Sequence, residues 1–187
     1  MMDEELIEKV RVFIEAECRK PTANYGYEAY RFHFVPVVNY ARILAERVGA
    51  DLDVVLLAAW LHDIGSIVYG REEHHITSCE IAEKKLGEFG CDGEIVERVK
   101  HCIFAHRGSK NIVRTSIEAE VLADADSMSH FDDIGGLFRA AYVTEGMSHD
   151  DARSSVKDKL MNSFAKLSAD AKKVIEPKFE AAMLLLD

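Results

Sequence analysis

Apolar positions recur at helical spacing along most of the chain, and no segment alternates in the manner of a strand. Residues 3–18 set Leu6, Val10, Phe13 and Cys18 along one side, and Pro21 with the PTANYGY stretch breaks that pattern. A second helix is predicted over about 30–48, carrying Val37, Leu44 and Val48 and ending at Gly49. Pro36 falls inside it, so this helix either begins near His33 or is kinked there. Asp51 and Asp53 offer N-caps for a third helix, whose centre at 54–61 is apolar without interruption. Such a helix is expected to be buried on all sides and to stop just before Gly65.

Thr77 with Glu80 and Thr115 with Glu118 have the spacing of capping boxes, so each is expected to open a helix. The first carries Cys79, Ala82, Leu86 and Phe89 inward and ends at Gly87 or Gly90. Asp92 caps a helix between them, with Ile95, Val99, Cys102 and His106 on one stripe. Gly135 and Gly136 allow close packing or a break, and the last 35 or so residues read as two more helices. The fold expected is all-α, a single domain over residues 1–187.

Composition agrees, with 11 Gly and 3 Pro in 187 residues, too few for turn-rich β architecture. A net charge of −10 argues against nucleic acid polymers and anionic membranes as partners, since both require a basic face. No apolar run approaches the roughly 20 residues of a bilayer span, and the acidic start MMDEELIEKV does not read as a signal peptide. Cys18, Cys79, Cys91 and Cys102 form no CxxC pair and are expected as reduced core residues, which makes a cytoplasmic location the default.

Chemistry enters at His62-Asp63, a charged pair directly after eight apolar residues. Burying a carboxylate is costly without compensation, and an Asp at a helix C-terminus opposes the dipole. A metal ion resolves both, although Asp63 turned to solvent would also do so. Further acids stand at Asp124 and Asp126, roughly 200° apart around their helix, so one is the better ligand; helical spacing does not choose between them. His33, among Phe32, Phe34 and Val35, is in a setting that suits a core histidine as well as a ligand. His106 shares an apolar stripe, whereas His101 falls with Glu94, Glu97 and Arg98 on the wet face. Arg31, Arg107, Lys110 and Arg139 lie near these motifs as candidate phosphate anchors, Glu72 as a candidate acid/base, and Tyr25, Tyr27 and Tyr30 as a nucleobase pocket or as packing.

The order His33, His62-Asp63, Asp126, set in LLAAWLHDIG and VLADADSM, resembles the HD-domain superfamily of metal-dependent phosphohydrolases. The likeness covers about 28–130, and GGLFRAAY and VKDKLMNSFAKL resemble the C-terminal part of its small stand-alone members. It implies a helical bundle with a metal-binding core at 28–130 and scaffold helices over 131–187. It implies a divalent ion (Mn, Ni, Co, Fe, Mg or Zn) on His33, His62, Asp63 and Asp126, with Asp124 a charge partner behind them. Asp63 would also be catalytic, orienting water or taking its proton while the ion screens the phosphoryl charge. His74 and His106 would hold a second metal or touch the substrate; residues 64–73 are fewer than dinuclear members are expected to have, so both remain open. The activity implied is hydrolysis of a phosphate ester or anhydride in a small phosphorylated substrate, nucleotides included. Four His and two Asp also match a di-iron oxygenase of this fold, and a non-catalytic regulatory module that keeps a metal is the third alternative.

Overall fold

Eight consecutive apolar residues leave a helix no face to turn to water. Accordingly α4 (Leu52–Leu61) runs through the middle of the molecule with residues 54–61 all buried. The computed structural model describes residues 3–107 and 112–187. Around α4 pack α1 (Glu4–Cys18), α3 (Val35–Val48), α7 (Gly93–Ala105) and α8 (Ile117–Ser129). Each turns an apolar stripe inward: Leu6, Val10, Ile14 and Cys18 from α1, and Val99, Cys102 and Ile103 from α7. Phe13, expected on the α1 stripe, packs only partly against this core, and Ile14 takes the inner position. Among the described residues there is no strand, and the fold is all-α.

Leu52–Tyr69 is long and apolar enough to cross a membrane by length and composition, but 72% of it is buried among the other helices. It comprises α4, the His62-Asp63 turn and a short α5 (Ile64–Tyr69). Gly65 therefore does not lie beyond a helix end, as expected, but inside α5. Here α5 meets α6 (His74–Glu88) so closely that a Cβ on Gly65 would stand 2.2 Å from Thr77 Oγ1 and 2.8 Å from His74 O. The Gly65 N–H donates to Ser78 Oγ at 2.9 Å across the same contact.

The helix expected over 30–48 begins earlier and changes pitch. A single turn, α2 (Gly26–Ala29), passes into a π segment (Tyr30–Phe34) and then into α3. Val35 N–H donates to Tyr30 O, and Pro36, which has no N–H, follows immediately. The wide turn thus absorbs the proline within the ladder.

Two expected capping boxes are corrected. Helix α6 starts at His74, with Glu73 as its N-cap residue, so Thr77 lies in its first turn and donates to His74 O. For α8 the cap is Ser116, whose hydroxyl accepts from Ala119 N–H; Thr115 meets His101 instead, its hydroxyl 3.0 Å from Nε2. In both places the threonine had the right spacing but the helix begins elsewhere, four residues earlier at Glu73 for α6 and one later at Ser116 for α8. The Asp51 and Asp92 caps are formed as expected.

After α8 come α9 (Ile134–Arg139), a second π segment (Ala140–Thr144), α10 (His149–Ala165) and α11 (Ala169–Leu186). Helix α10 packs on α8, α9 and α11, while α11 also reaches α3. Replacing Gly65 with Ala is expected to destabilise the fold by about 1–3 kcal/mol, a fall in Tm of about 3–10 °C on thermal denaturation. An unchanged Tm would show that the α5–α6 contact yields easily.

Candidate metal centre

Four histidines and two aspartates reach one place from six points along the chain. His33 is delivered by the first π segment, His62 by the end of α4, Asp63 by the turn before α5, His74 by the first residue of α6, His106 by the end of α7, and Asp126 by α8. The widened π turn rotates His33 relative to a regular helix running into α3, which is how one residue of an apolar FHFV stretch comes to face the site. Asp63 sits at the N-terminus of α5, where the helix dipole favours a carboxylate, so the unfavourable C-terminal placement expected from sequence does not arise. Glu73, just before His74, takes φ +52°, a left-handed conformation uncommon for Glu, at the bend that aims His74 inward.

The six groups form two pockets that share Asp63. In the first, His33 Nε2 lies 3.0 Å from His62 Nε2 and 3.4 Å from Asp63 Oδ2, and Asp126 Oδ1 is 3.7 and 3.9 Å from the two imidazoles. In the second, His74 Nε2 and His106 Nε2 are 3.3 Å apart and lie 3.3 and 3.5 Å from Asp63 Oδ1. Each pocket brings two histidines and the Asp63 carboxylate within reach of one ion.

Hydrogen bonds on the far side of each ring define its protonation. His62 Nδ1–H donates to Ala59 O at 2.9 Å, His74 to Arg71 O at 2.8 Å and His106 to Ile103 O at 2.5 Å. His33 Nδ1–H donates to Ser129 Oγ at 3.2 Å, because the Ser129 hydroxyl is itself committed to Asp126 O at 2.7 Å. In the neutral rings every Nε2 therefore points a lone pair at another lone pair. Two such contacts beside a carboxylate repel unless a positive charge lies among them, and the arrangement of anchored imidazoles is that of metal ligands. Asp63 Oδ1 is buried without a hydrogen-bond partner, an acceptor that a cation would satisfy.

Burial pushes His62 down to about 4, leaving its ring neutral. For His33 and His106 burial acts the same way, but Asp63 and Asp126 outweigh it and raise both pKa values. Burial would raise Asp63, yet the imidazoles beginning with His62 hold it well below the ordinary carboxylate range; Asp126 is lowered similarly against burial, by His33 first. The site thus keeps two carboxylates ionised among imidazoles, a set of donors that a cation would complement. Its imidazole and carboxylate donors, without thiolate, suit a divalent ion such as Mn²⁺, Fe²⁺, Co²⁺, Ni²⁺, Zn²⁺ or Mg²⁺.

The family profile of the HD domain matches residues 30–130, the stretch that carries His33, His62-Asp63 and Asp126. This chain belongs to the HD-domain family. An uncharacterized protein of Clostridium beijerinckii is 34% identical over 83 residues, 42% of this chain and 53% of that protein, so the matched region spans about half that relative's length. Among solved structures, Bacillus subtilis YpgQ is similar over 100% of this chain and 94% of its own, at 22% identity and a TM-score of 0.77. YpgQ in complex with ADP gives 0.71. An HD-superfamily hydrolase of Bacillus thuringiensis is similar at 19% identity with a TM-score of 0.73, over 98% and 94% of the two chains.

The HD centre opens into a cavity of about 1600 Å³. Of the anchors considered from sequence, Arg107 and Arg139 line it, Arg31 does not and lies over the Phe32 ring, and Lys110 falls outside the described residues. Glu72 is exposed and away from the cavity wall. Tyr25 reaches the cavity, whereas Tyr27 and Tyr30 are packing, stacked on each other and, through Tyr30, on Trp60. Asp124 is buried and accepts from Ser168 N–H at 3.2 Å, tying α8 to the start of α11 rather than backing the ligands. The cysteines are free, and burial raises Cys18 and Cys79 to about 11 and Cys102 to about 12, so none has the character of a nucleophile.

Sequence reading missed His130, Arg71 and Lys159 in the cavity wall. His130 stands four residues after Asp126 and shares its helix face, a spacing that was available as a signal. Its Nδ1 lies 3.0 Å from Ser163 Oγ, and burial lowers its pKa to about 4. Lys159 had no signal: α10 reads as an ordinary amphipathic helix, and only its packing turns that face to the site.

Metal analysis after Mn²⁺ loading is expected to find about two equivalents in the wild type, one in His74→Ala/His106→Ala, and none in Asp63→Ala, the ligand common to both pockets. One equivalent in the wild type would assign the second histidine pair to another role. Asp126→Ala is expected to weaken metal binding, while Asp124→Asn lowers thermal stability and leaves the metal in place. Metal loss in Asp124→Asn would reverse that assignment.

Proposed function

We propose that this HD-domain protein hydrolyses a phosphate ester or anhydride in a small phosphorylated molecule, with a divalent metal held at His33, His62, Asp63 and Asp126. The observation that carries the reading is the shared Asp63, its two oxygens facing two pairs of imidazoles whose lone pairs converge. His74 and His106 would hold a second ion with Asp63 Oδ1. When bound, the metal supplies Lewis acidity, which polarises a phosphoryl oxygen and lowers the pKa of water.

The chain's own groups do the rest. Backbone carbonyls and Ser129 keep each ring in the tautomer that offers Nε2 inward, so no reorganisation is needed when charge develops. Asp63 orients the attacking water or accepts its proton, and Asp126, at the edge of the first pocket, supplies a further negative group there. Arg107 and Arg139 in the cavity wall receive phosphate oxygens. YpgQ, similar in fold, is known in complex with ADP, which supports a nucleotide-like phosphate compound as the substrate.

A second reading rests on the same six residues. Four His and two Asp in adjoining pockets also suit a pair of irons and oxygen chemistry. The cationic side chains around the cavity favour the phosphate reading, because they are provision for an anionic substrate. A metal-keeping regulatory module is the third alternative.

Turnover of p-nitrophenyl phosphate and a panel of nucleotides by Mn²⁺-loaded protein is expected under anaerobic as well as aerobic conditions. Chelation should abolish it, and Asp63→Asn should lower kcat by about a thousandfold or more. Oxygen consumption by an iron-loaded protein would favour the oxygenase, and metal binding with no turnover of any compound would favour the regulatory module.

A further inference from the structure

Away from the cavity, this acidic chain pairs many of its basic side chains. Lys9 meets Glu5 at 2.6 Å, Arg19 meets Glu15 at 2.7 Å, Arg98 meets Asp51 at 2.7 Å and Lys100 meets Glu83 at 2.9 Å. Lys85, Lys157, Lys173 and Lys178 have carboxylate partners as well. The cavity-lining cations differ. Among the described residues, Arg71, Arg114, Arg139, Lys159 and Lys166 make no ion pair, although carboxylates outnumber cations by 33 to 23 in the chain. Of these, Arg71 and Lys166 both act on Lys159.

These three are gathered rather than scattered. Lys159 projects from α10 into the cavity and is half-buried, and Arg71 and Lys166 are exposed residues of the same wall. Burial lowers the Lys159 pKa, Arg71 and Lys166 oppose its charge from nearby, and Asp126 and Glu145 support it. Lys159 also acts on His33 and His130, which places it on the first-pocket side of the HD centre. A half-buried ammonium beside two other cations is unfavourable without a compensating anion. A divalent ion in the first pocket sharpens this, because it takes up the negative charge of Asp126. The other α10 residues of the wall are the neutral Ser155, Asn162 and Ser163 and the carboxylate Asp158, which makes no ion pair with Lys159.

We propose that Lys159, with Arg71 and Lys166, binds a second anionic group of the substrate, beyond the phosphate at the metal centre, so that this site takes compounds with at least two phosphates. The inference rests on the phosphohydrolase reading for what lies at the HD centre. It adds that α10, which supplies none of the candidate ligands, selects the substrate. A compound with one phosphate satisfies the metal centre and leaves the three cations unpaired. One with two or three satisfies both, and charge-assisted hydrogen bonds to the added phosphate supply the preference.

Calorimetric titration tests this without requiring turnover. Full-length protein, loaded with Mn²⁺ and freed of excess metal, is titrated with inorganic triphosphate and separately with inorganic phosphate; metal content is measured again afterwards to account for chelation. Triphosphate is expected to bind at least about thirtyfold more tightly than phosphate, and Lys159→Gln and Arg71→Gln each to weaken triphosphate by about tenfold to a hundredfold. Neither variant should change phosphate binding or Mn²⁺ content appreciably, and Lys159→Arg should retain most of the preference. If Lys159→Gln does not fold, Arg71→Gln, on a different element, carries the test. Equal affinities for the two anions, or a preference untouched by both variants, overturns the proposal. Triphosphate binding through Lys159 in a protein that turns over no phosphate compound would keep this inference and remove the hydrolase reading. Hydrolysis of monoesters together with unaltered triphosphate binding in both variants would do the reverse.

Discussion

Imidazole lone pairs do not come within 3.0 and 3.3 Å of one another in a protein interior unless the fold forces them together. That convergence on Asp63 is the constraint the rest of the structure serves. Each ring is tied from behind by a carbonyl or hydroxyl, so rotating away would break a hydrogen bond in a buried place. The carbonyls of Ala59 and Ile103 belong to the last turns of α4 and α7, where such groups have no helical partner to lose. Helix ends thus orient the candidate ligands.

Rigidity comes from the unbroken apolar run of α4, which holds His62 and Asp63 against four surrounding helices. It is reinforced where α5 and α6 nearly touch at Gly65, fixing the distance between Asp63 and His74. Less regular features cluster nearby: the π turn that carries His33 and the left-handed Glu73 that precedes His74. Such departures persist where surrounding packing over-determines them, and here both aim a histidine of the candidate metal centre.

Charge is divided along the same lines. The molecule carries −10 overall, yet its cavity wall holds Arg71, Arg107, Arg139, Lys159 and Lys166 above a centre of carboxylates and imidazoles. The centre gathers acceptors and the wall gathers cations, a division that the proposed metal ion and phosphate compound would satisfy together. Local arrangement, not net charge, determines what an acidic protein binds.

The sequence by itself determined the long helices and the family, but not the short α2 and α5 or the π segments. Helical periodicity, the apolar block at 54–61 and the LHDIG pentad are local patterns, and local patterns survive in one dimension. It did not distinguish Thr77 from His74, or Thr115 from Ser116, as the start of a helix, because capping depends on backbone conformation as well as residue type. Nor did spacing choose between Asp124 and Asp126. Only the packing of α8 against α3 and α11 directs one carboxylate toward His33 and the other to Ser168 N–H. The sharing of Asp63 between two histidine pairs, and the arrival of Lys159 from a distant helix, were likewise decided by tertiary structure. Distances between side chains 30 to 100 residues apart are set by how helices cross, and no local pattern encodes that.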